Sequence, residues 1–149
     1  FRLAQDILQS GGLLISEYPP NTTPQKHYFI ARNRIIASLS DLTIIIEAVE
    51  KSGSLLTADF AMEYNKSVFA VPGSIFSPNS AGCHNLVSQG AGILTSSKNI
   101  LEEFLMMRGC MTIAIIVENV KVRKIQLVKM KCVPILMEII KLILKISFY

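Results

Sequence analysis

Cysteine is scarce in this 149-residue chain: Cys83, Cys110 and Cys132 are odd in number, and none stands in CxxC spacing. That excludes a closed disulfide framework and offers no zinc site, so a reducing cytoplasm is the expected compartment. His27 and His84 lie far apart, without further ligand-type residues at metal spacing, and neither is assigned to a metal. The glycine-rich loops GxGxxG and GxxxxGK[ST] are both absent, so the usual dinucleotide and NTPase fingerprints fail and no cofactor is expected. No serine or cysteine sits in a nucleophile-elbow pattern, and the chain is not expected to be an enzyme. There is no internal repeat. Residues 133–146 are almost wholly apolar, but Glu138, Lys141 and Lys145 interrupt them on one helical stripe. That stretch is too short and too charged to span a membrane, and no membrane partner is expected. The chain opens on Phe1, with no initiator methionine and no secretory signal pattern, and is expected to be part of a longer protein.

Charge is divided unevenly. Residues 1–107 hold seven Lys/Arg against nine Asp/Glu, whereas residues 108–149 hold eight against two. The overall +4 is thus a property of the tail, and says little about what the first part binds. The division expected is a domain over residues 1–108 and an atypical basic and apolar tail over 109–149.

Within 1–108, short apolar runs alternate with helical spacing. A helix ending near Ser10 is closed by Gly11-Gly12. Leu13 to Ile15 is expected as a short strand, stopped by Pro19-Pro20, with a polar loop from Asn21 to Lys26. Leu42 to Ile46 is a continuous apolar run, as in a parallel strand covered on both faces. Helical spacing over 55–64, a strand over 68–71, a helix over 79–89, a strand over 91–95 and a helix over 99–107 follow. Met111 to Glu118 has the character of one more strand. The expected fold is α/β: a Rossmann-like, doubly wound, mostly parallel sheet, truncated at its N-terminal side. In such sheets ligands sit beyond the carboxyl ends of the strands. Glu17-Tyr18, Glu47 through Ser54, and Pro72-Gly73-Ser74 are expected to converge there.

Three phrases carry the chemistry. FIARNRIIASLSD at 29–41 offers Arg32, Asn33 and Arg34 at the expected start of a short helix. Free N–H groups and the dipole at a helix start favour anions, and two guanidinium forks suit bidentate phosphate contact. The plainer reading is a solvated basic turn paired with carboxylates, for which Glu47 and Glu50 are available. Phe29 and Tyr28 beside the arginines suit single-stranded bases, which stack while phosphates pair with charge; otherwise they pack the loop. Ser52-Gly53-Ser54 precedes a helix, with Ser54 a natural N-cap and Gly53 allowing close backbone approach to a ligand. As a lone signal it reads more simply as a capped turn.

In order and wording, GLLISEYPP at 12–20, FIARNRIIASLSD at 29–41, IIEAVEKSGSLLTA at 45–58, VFAVPGS at 68–74 and GCHNLVSQGAG at 82–92 resemble the DNA-processing protein A family, also called DprA or Smf. The resemblance covers about 95 residues, from about 11 to 105. It implies a Rossmann-like domain that binds single-stranded DNA, forms a homodimer and helps load the RecA recombinase during natural transformation. The family's RNR segment falls on Arg32, Asn33 and Arg34, its aromatic on Phe29, and its SGS turn on Ser52, Gly53 and Ser54. Ile30 replaces a common proline and Ser38 a common glycine. The family's upstream Gly-Ser-Arg turn is missing, and residues from about 109 resemble neither its linker nor its winged helix. The expectation is a single-stranded DNA-binding recombination accessory protein with Phe29, Arg32, Asn33, Arg34, Ser52, Gly53 and Ser54 at the DNA. The alternative is a nucleotide-cleaving Rossmann enzyme of the lysine-decarboxylase-like type acting on nucleoside monophosphates, with Glu47 or Glu50 as acid. Ser-Gly-Ser in place of that group's Gly-Gly turn counts against it.

Overall fold

A computed structural model of the chain describes residues 2–106, 111–119 and 122–130. The apolar segment 133–146 lies outside the described residues. The first helix, α1 (Arg2–Gln9), ends as the Gly11-Gly12 pair requires. Gly11 takes φ +80°, and Gly12 donates its N–H to the Ile7 carbonyl at 2.8 Å, a left-handed stop suited to glycine.

Leu13 to Ile15 does not form the expected strand; these residues are irregular and exposed. A strand needs a neighbour for its backbone groups, and both sides of the central strand are already taken. That strand, β1 (Leu42–Glu47), pairs in parallel with β2 (Ser67–Ala70) on one side and with β4 (Met111–Asn119) on the other. Leu42 faces Ser67 and Ile113 across the two ladders, and the second ladder shifts register between Ile45 and Glu47. With no edge of β1 exposed, Leu42 to Ile46 can be apolar in all but Thr43, and all five are buried. Each fully buried Ile or Leu there contributes about 1.5–3 kcal/mol of transfer free energy.

The order across the sheet is β3-β2-β1-β4-β5, with β3 at Gly92–Ile93 and β5 at Val122–Met130. Four strands are parallel and β5 returns antiparallel to β4, so the mostly parallel α/β sheet expected from the alternation is present. The strands of residues 111–130 therefore share one sheet with the preceding residues. Asp41 fastens the join: its N–H donates to the Thr112 carbonyl at 2.7 Å, and its Oδ2 accepts the Thr112 N–H at 2.9 Å.

Helices carry the crossovers. α3 (Gly53–Glu63) links β1 to β2, and a 3-10 turn (Pro78–Ser80) with α4 (Ala81–Ser88) links β2 to β3. α5 (Ser97–Met106) then leads back across to β4. The chain moves outward from β1 to β3 and then reverses to β1's other side. The reversal lies between β1 and β4, where open α/β sheets hold ligands. Packing between layers is close because small residues meet there: Ala37, Ala48, Ala58, Ala61, Ala70 and Ala91 sit in the core with Ile45, Val68, Leu86 and Ile116.

The loop after β1 depends on one such close approach. Gly82 donates its N–H to the Ala48 carbonyl at 2.9 Å, and Ala48 donates to the Asn79 carbonyl at 2.8 Å. A Cβ on Gly82 would lie 2.7 Å from the Ala48 carbonyl oxygen and 2.9 Å from that of Val49. These are backbone atoms that yield little. Gly82→Ala is expected to destabilise the fold by about 1–3 kcal/mol, as overpacking does. A lower midpoint in urea unfolding with unchanged slope is the measurement that checks it.

Candidate nucleic-acid interface

Arg32, Asn33 and Arg34 do not begin their helix. α2 runs from Lys26 to Leu39, so they lie in its middle, and the helix start falls on Lys26 and His27. With Ile30 in place of proline, no residue between Lys26 and Leu39 lacks a backbone N–H, so the helix extends backward through Tyr28 and Phe29. Any affinity of the arginines for anions therefore comes from their own charge and forks, not from the helix terminus.

The helix sends its predicted residues in different directions. Phe29 is 55% exposed, and the Arg32 guanidinium carbon lies 5.5 Å from its ring centroid, within cation–π range. Arg32 has no carboxylate partner among the described residues; one of its Nη atoms donates to Asn33 Oδ1 at 3.2 Å. Arg34 is already paired, through Nη2, with Glu17 Oε1. The expected carboxylates, Glu47 and Glu50, do not take either arginine. Glu47 is half-buried at the end of β1, and its Oε2 has no hydrogen-bond partner among the described residues.

Asn33 is buried and faces the other way. Its Nδ2 makes a long 3.5 Å contact to the Gly53 carbonyl, tying α2 to the start of α3. There the cap falls two residues earlier than expected. Ser52, not Ser54, is the N-cap, and its Oγ accepts the Ser54 N–H at 3.2 Å. The two hydroxyls also bond to each other. Gly53 is exposed, with open space where a Cβ would stand, so its backbone is accessible at the head of α3.

The seven residues thus do not share one cavity. Phe29 and Arg32 line a cleft of about 410 Å³ with Tyr18, Gln25 and Tyr28. Ser52 and Gly53 line another of about 540 Å³ with Ile30, Glu50, Leu56 and Asn85. Asn33 is the link between the two sides. Glu17 and Tyr18 do reach the site, but through contacts with α2 and not from a strand end. Pro72 to Ser74 leave β2 as expected, and His84 Nε2 lies 3.1 Å from the Gly73 carbonyl, joining that loop to α4. The Tyr18–Tyr28 stack and the Arg34–Glu17 pair had no signal in the sequence. Each closes a loop whose length says nothing about where it folds back.

This arrangement sets a guanidinium without a carboxylate partner among the described residues beside an exposed ring. Among the described residues, no group of three or more His, Cys, Asp or Glu is placed to hold a metal ion. Nor is any helix among them long and apolar enough to cross a membrane. Residues 1–105 match the family described as DNA recombination-mediator protein A. The chain belongs to that family. It is 48% identical over 100 residues to the DNA processing protein DprA of Streptococcus pneumoniae, covering 67% of this chain and 36% of the relative. It is 50% identical over 98 residues to DprA of Bacillus subtilis, covering 66% and 33%. To protein Smf of Escherichia coli it is 46% identical over 101 residues, covering 68% and 27%. The chain therefore spans about a third or less of the length of these DprA and Smf proteins. Among solved structures it is similar to DprA of S. pneumoniae, with TM-score 0.58 and 46% identity over 67% of this chain and 37% of that one. It is also similar to DNA processing protein A of Helicobacter pylori, whose structure concerns its single-stranded DNA binding mode. That match has TM-score 0.54 and 34% identity over 62% of this chain and 42% of that one. The sheet beside the DprA-like residues is thus completed by β4 and β5, which lie beyond the family match.

Cys83, on α4, bears on catalysis. Burial pushes its thiol up to about 11, and the Glu47 charge adds to the rise. Its Sγ lies 3.7 Å from the Ile46 carbonyl and 3.9 Å from that of Ile45. A thiol so placed stays protonated at neutral pH and is no nucleophile. Because the folded value lies above the reference 9.0, its contribution to stability is full below pH 9 and is lost as pH rises toward about 11. In a Cys110→Ala, Cys132→Ala variant, an aromatic disulfide reagent at pH 8 is expected to label Cys83 only after denaturant is added. Immediate labelling of the native protein would show that the thiol is exposed.

Proposed function

We propose that this member of the DprA family binds single-stranded DNA as a non-catalytic accessory of recombination. In the wider reading it acts in the cytoplasm as a homodimer and passes DNA taken up in natural transformation to the RecA recombinase. The observation that carries the DNA reading is the exposed Arg32 guanidinium over the exposed Phe29 ring, a cation and a stacking surface side by side. Single-stranded nucleic acid is bound by that combination, phosphates by charge and bases by aromatic faces. The single-stranded DNA binding mode of the H. pylori relative supports the same reading. Ser52, Gly53 and Ser54 shape the neighbouring cleft, and Asn33 holds it against α2.

The two arginines are not equivalent in this reading. Arg32, bonded among the described residues only to the Asn33 amide oxygen, has no carboxylate to give up before taking a phosphate, whereas Arg34 must first leave Glu17. Arg32→Ala is expected to weaken oligonucleotide binding by about 1.5–3 kcal/mol, the range for charged hydrogen bonds. Arg34→Ala should cost less. Fluorescence anisotropy on labelled single strands measures both, with affinity falling as salt rises by a logarithmic slope of about −0.7 per phosphate neutralised. Equal affinity for single strand and blunt duplex at every salt concentration would refute the reading.

The nucleotide-cleaving alternative keeps one supporting observation, the unpartnered buried oxygen of Glu47. Against it stands the absence of a positioned base with an orienting partner among the described residues. No release of adenine from AMP is expected; release that Glu47→Gln abolishes would reverse the assignment.

A further inference from the structure

Between the 16–25 loop and α2 lies the cleft of about 410 Å³ that Phe29 and Arg32 border, and most of its wall is neither of them. Tyr18 and Tyr28 line it as a stacked pair, ring centroids 4.1 Å apart and planes 30° from parallel. Both are only half-buried. His27 meets Tyr28 edge-on at 4.4 Å, which braces the pair from the helix side. Two amides line the same cleft, Asn21 and Gln25. Gln25 is the N-cap of α2 but makes no side-chain cap bond, and Asn21 sits in the left-handed conformation at φ 68°. Neither amide has a hydrogen-bond partner among the described residues. The other polar side chains nearby are occupied: Ser16 with the Tyr18 backbone, Thr22 with the Pro19 carbonyl and Glu17 with Arg34.

We infer that this cleft is a nucleobase subsite, in which Tyr18 and Tyr28 stack a base and the Asn21 and Gln25 amides meet its edge. The inference rests on the single-stranded DNA reading and adds to it a second aromatic platform, distinct from Phe29. A half-buried, pre-stacked ring pair offers a planar π surface whose ordering is complete before the ligand arrives, and base stacking on such a surface tolerates any sequence. A carboxamide presents one donor and one acceptor side by side, the pattern of a base edge, and differs in this from the charged groups that take phosphate. The Arg32 guanidinium at the border of the cleft holds the backbone while the base turns inward.

The test compares the full chain's anisotropy-measured affinity for a labelled oligothymidylate and for an abasic deoxyribose-phosphate strand of the same length. Wild type is expected to bind the base-bearing strand more tightly. Tyr18→Leu and Tyr28→Leu should each lower affinity for it about fivefold or more, from the value of one stacked base, and leave the abasic strand unaffected. Tyr28→Phe should retain binding. Gln25→Ala, which alters only an exposed uncapping side chain, should lower base-strand affinity about two- to tenfold, from the value of one hydrogen bond, and it keeps the test open if a tyrosine variant fails to fold. Folded tyrosine variants and Gln25→Ala that bind both strands as wild type does, or that lose both equally, overturn the subsite while leaving DNA binding intact. Wild type that binds neither strand overturns the DNA reading itself, and the subsite with it.

Discussion

The hydrogen bonds about Ala48 decide where everything else in the site can stand. Ala48 follows directly on β1, donating to Asn79 and accepting from Gly82, so the loop after the central strand is clamped to the connection between β2 and β3. The clamp works only because residue 82 is a glycine, since a side chain there would occupy the space of the Ala48 and Val49 carbonyls. From that point the chain runs to the Ser52 cap and into α3, and α3 receives the Asn33 amide from α2. The functional surface is therefore hung from one strand end. Its accuracy is inherited from the buried ladder below it.

That ladder was the most legible part of the sequence. Leu42 to Ile46 is apolar at every position but Thr43, a pattern that needs cover on both faces and neighbours on both edges, and the structure supplies all of them. The alternation of short apolar runs with helical spacing likewise marked α3, α4 and α5 within a few residues. Leu13 to Ile15 misled for a clear reason: three apolar residues bounded by glycine and proline look the same whether or not a strand is available to pair with them. The start of α2 misled because Tyr28 and Phe29 are neutral toward helix, and only the backbone N–H of Ile30 shows that nothing stops the helix there.

The candidate residues could be named from the sequence, and their arrangement could not. Arg32 meets Phe29 and Asn33 meets Gly53, but Arg32 and Gly53 line different clefts. Successive helical residues, however, point about 100° apart, and that rotation places Arg32 in one cleft and turns Asn33 toward the head of α3. Which arginine is paired with a carboxylate is invisible in the motif, because Glu17 lies 17 residues away and across three prolines.

Asn33 has a consequence of its own. Its carbonyl oxygen accepts from Arg32, which borders one cleft, and its amide nitrogen donates to Gly53, which borders the other. One buried amide thus stands between the two clefts, and shortening it, as in Asn33→Ala, would remove the acceptor of Arg32 and the donor to Gly53 together.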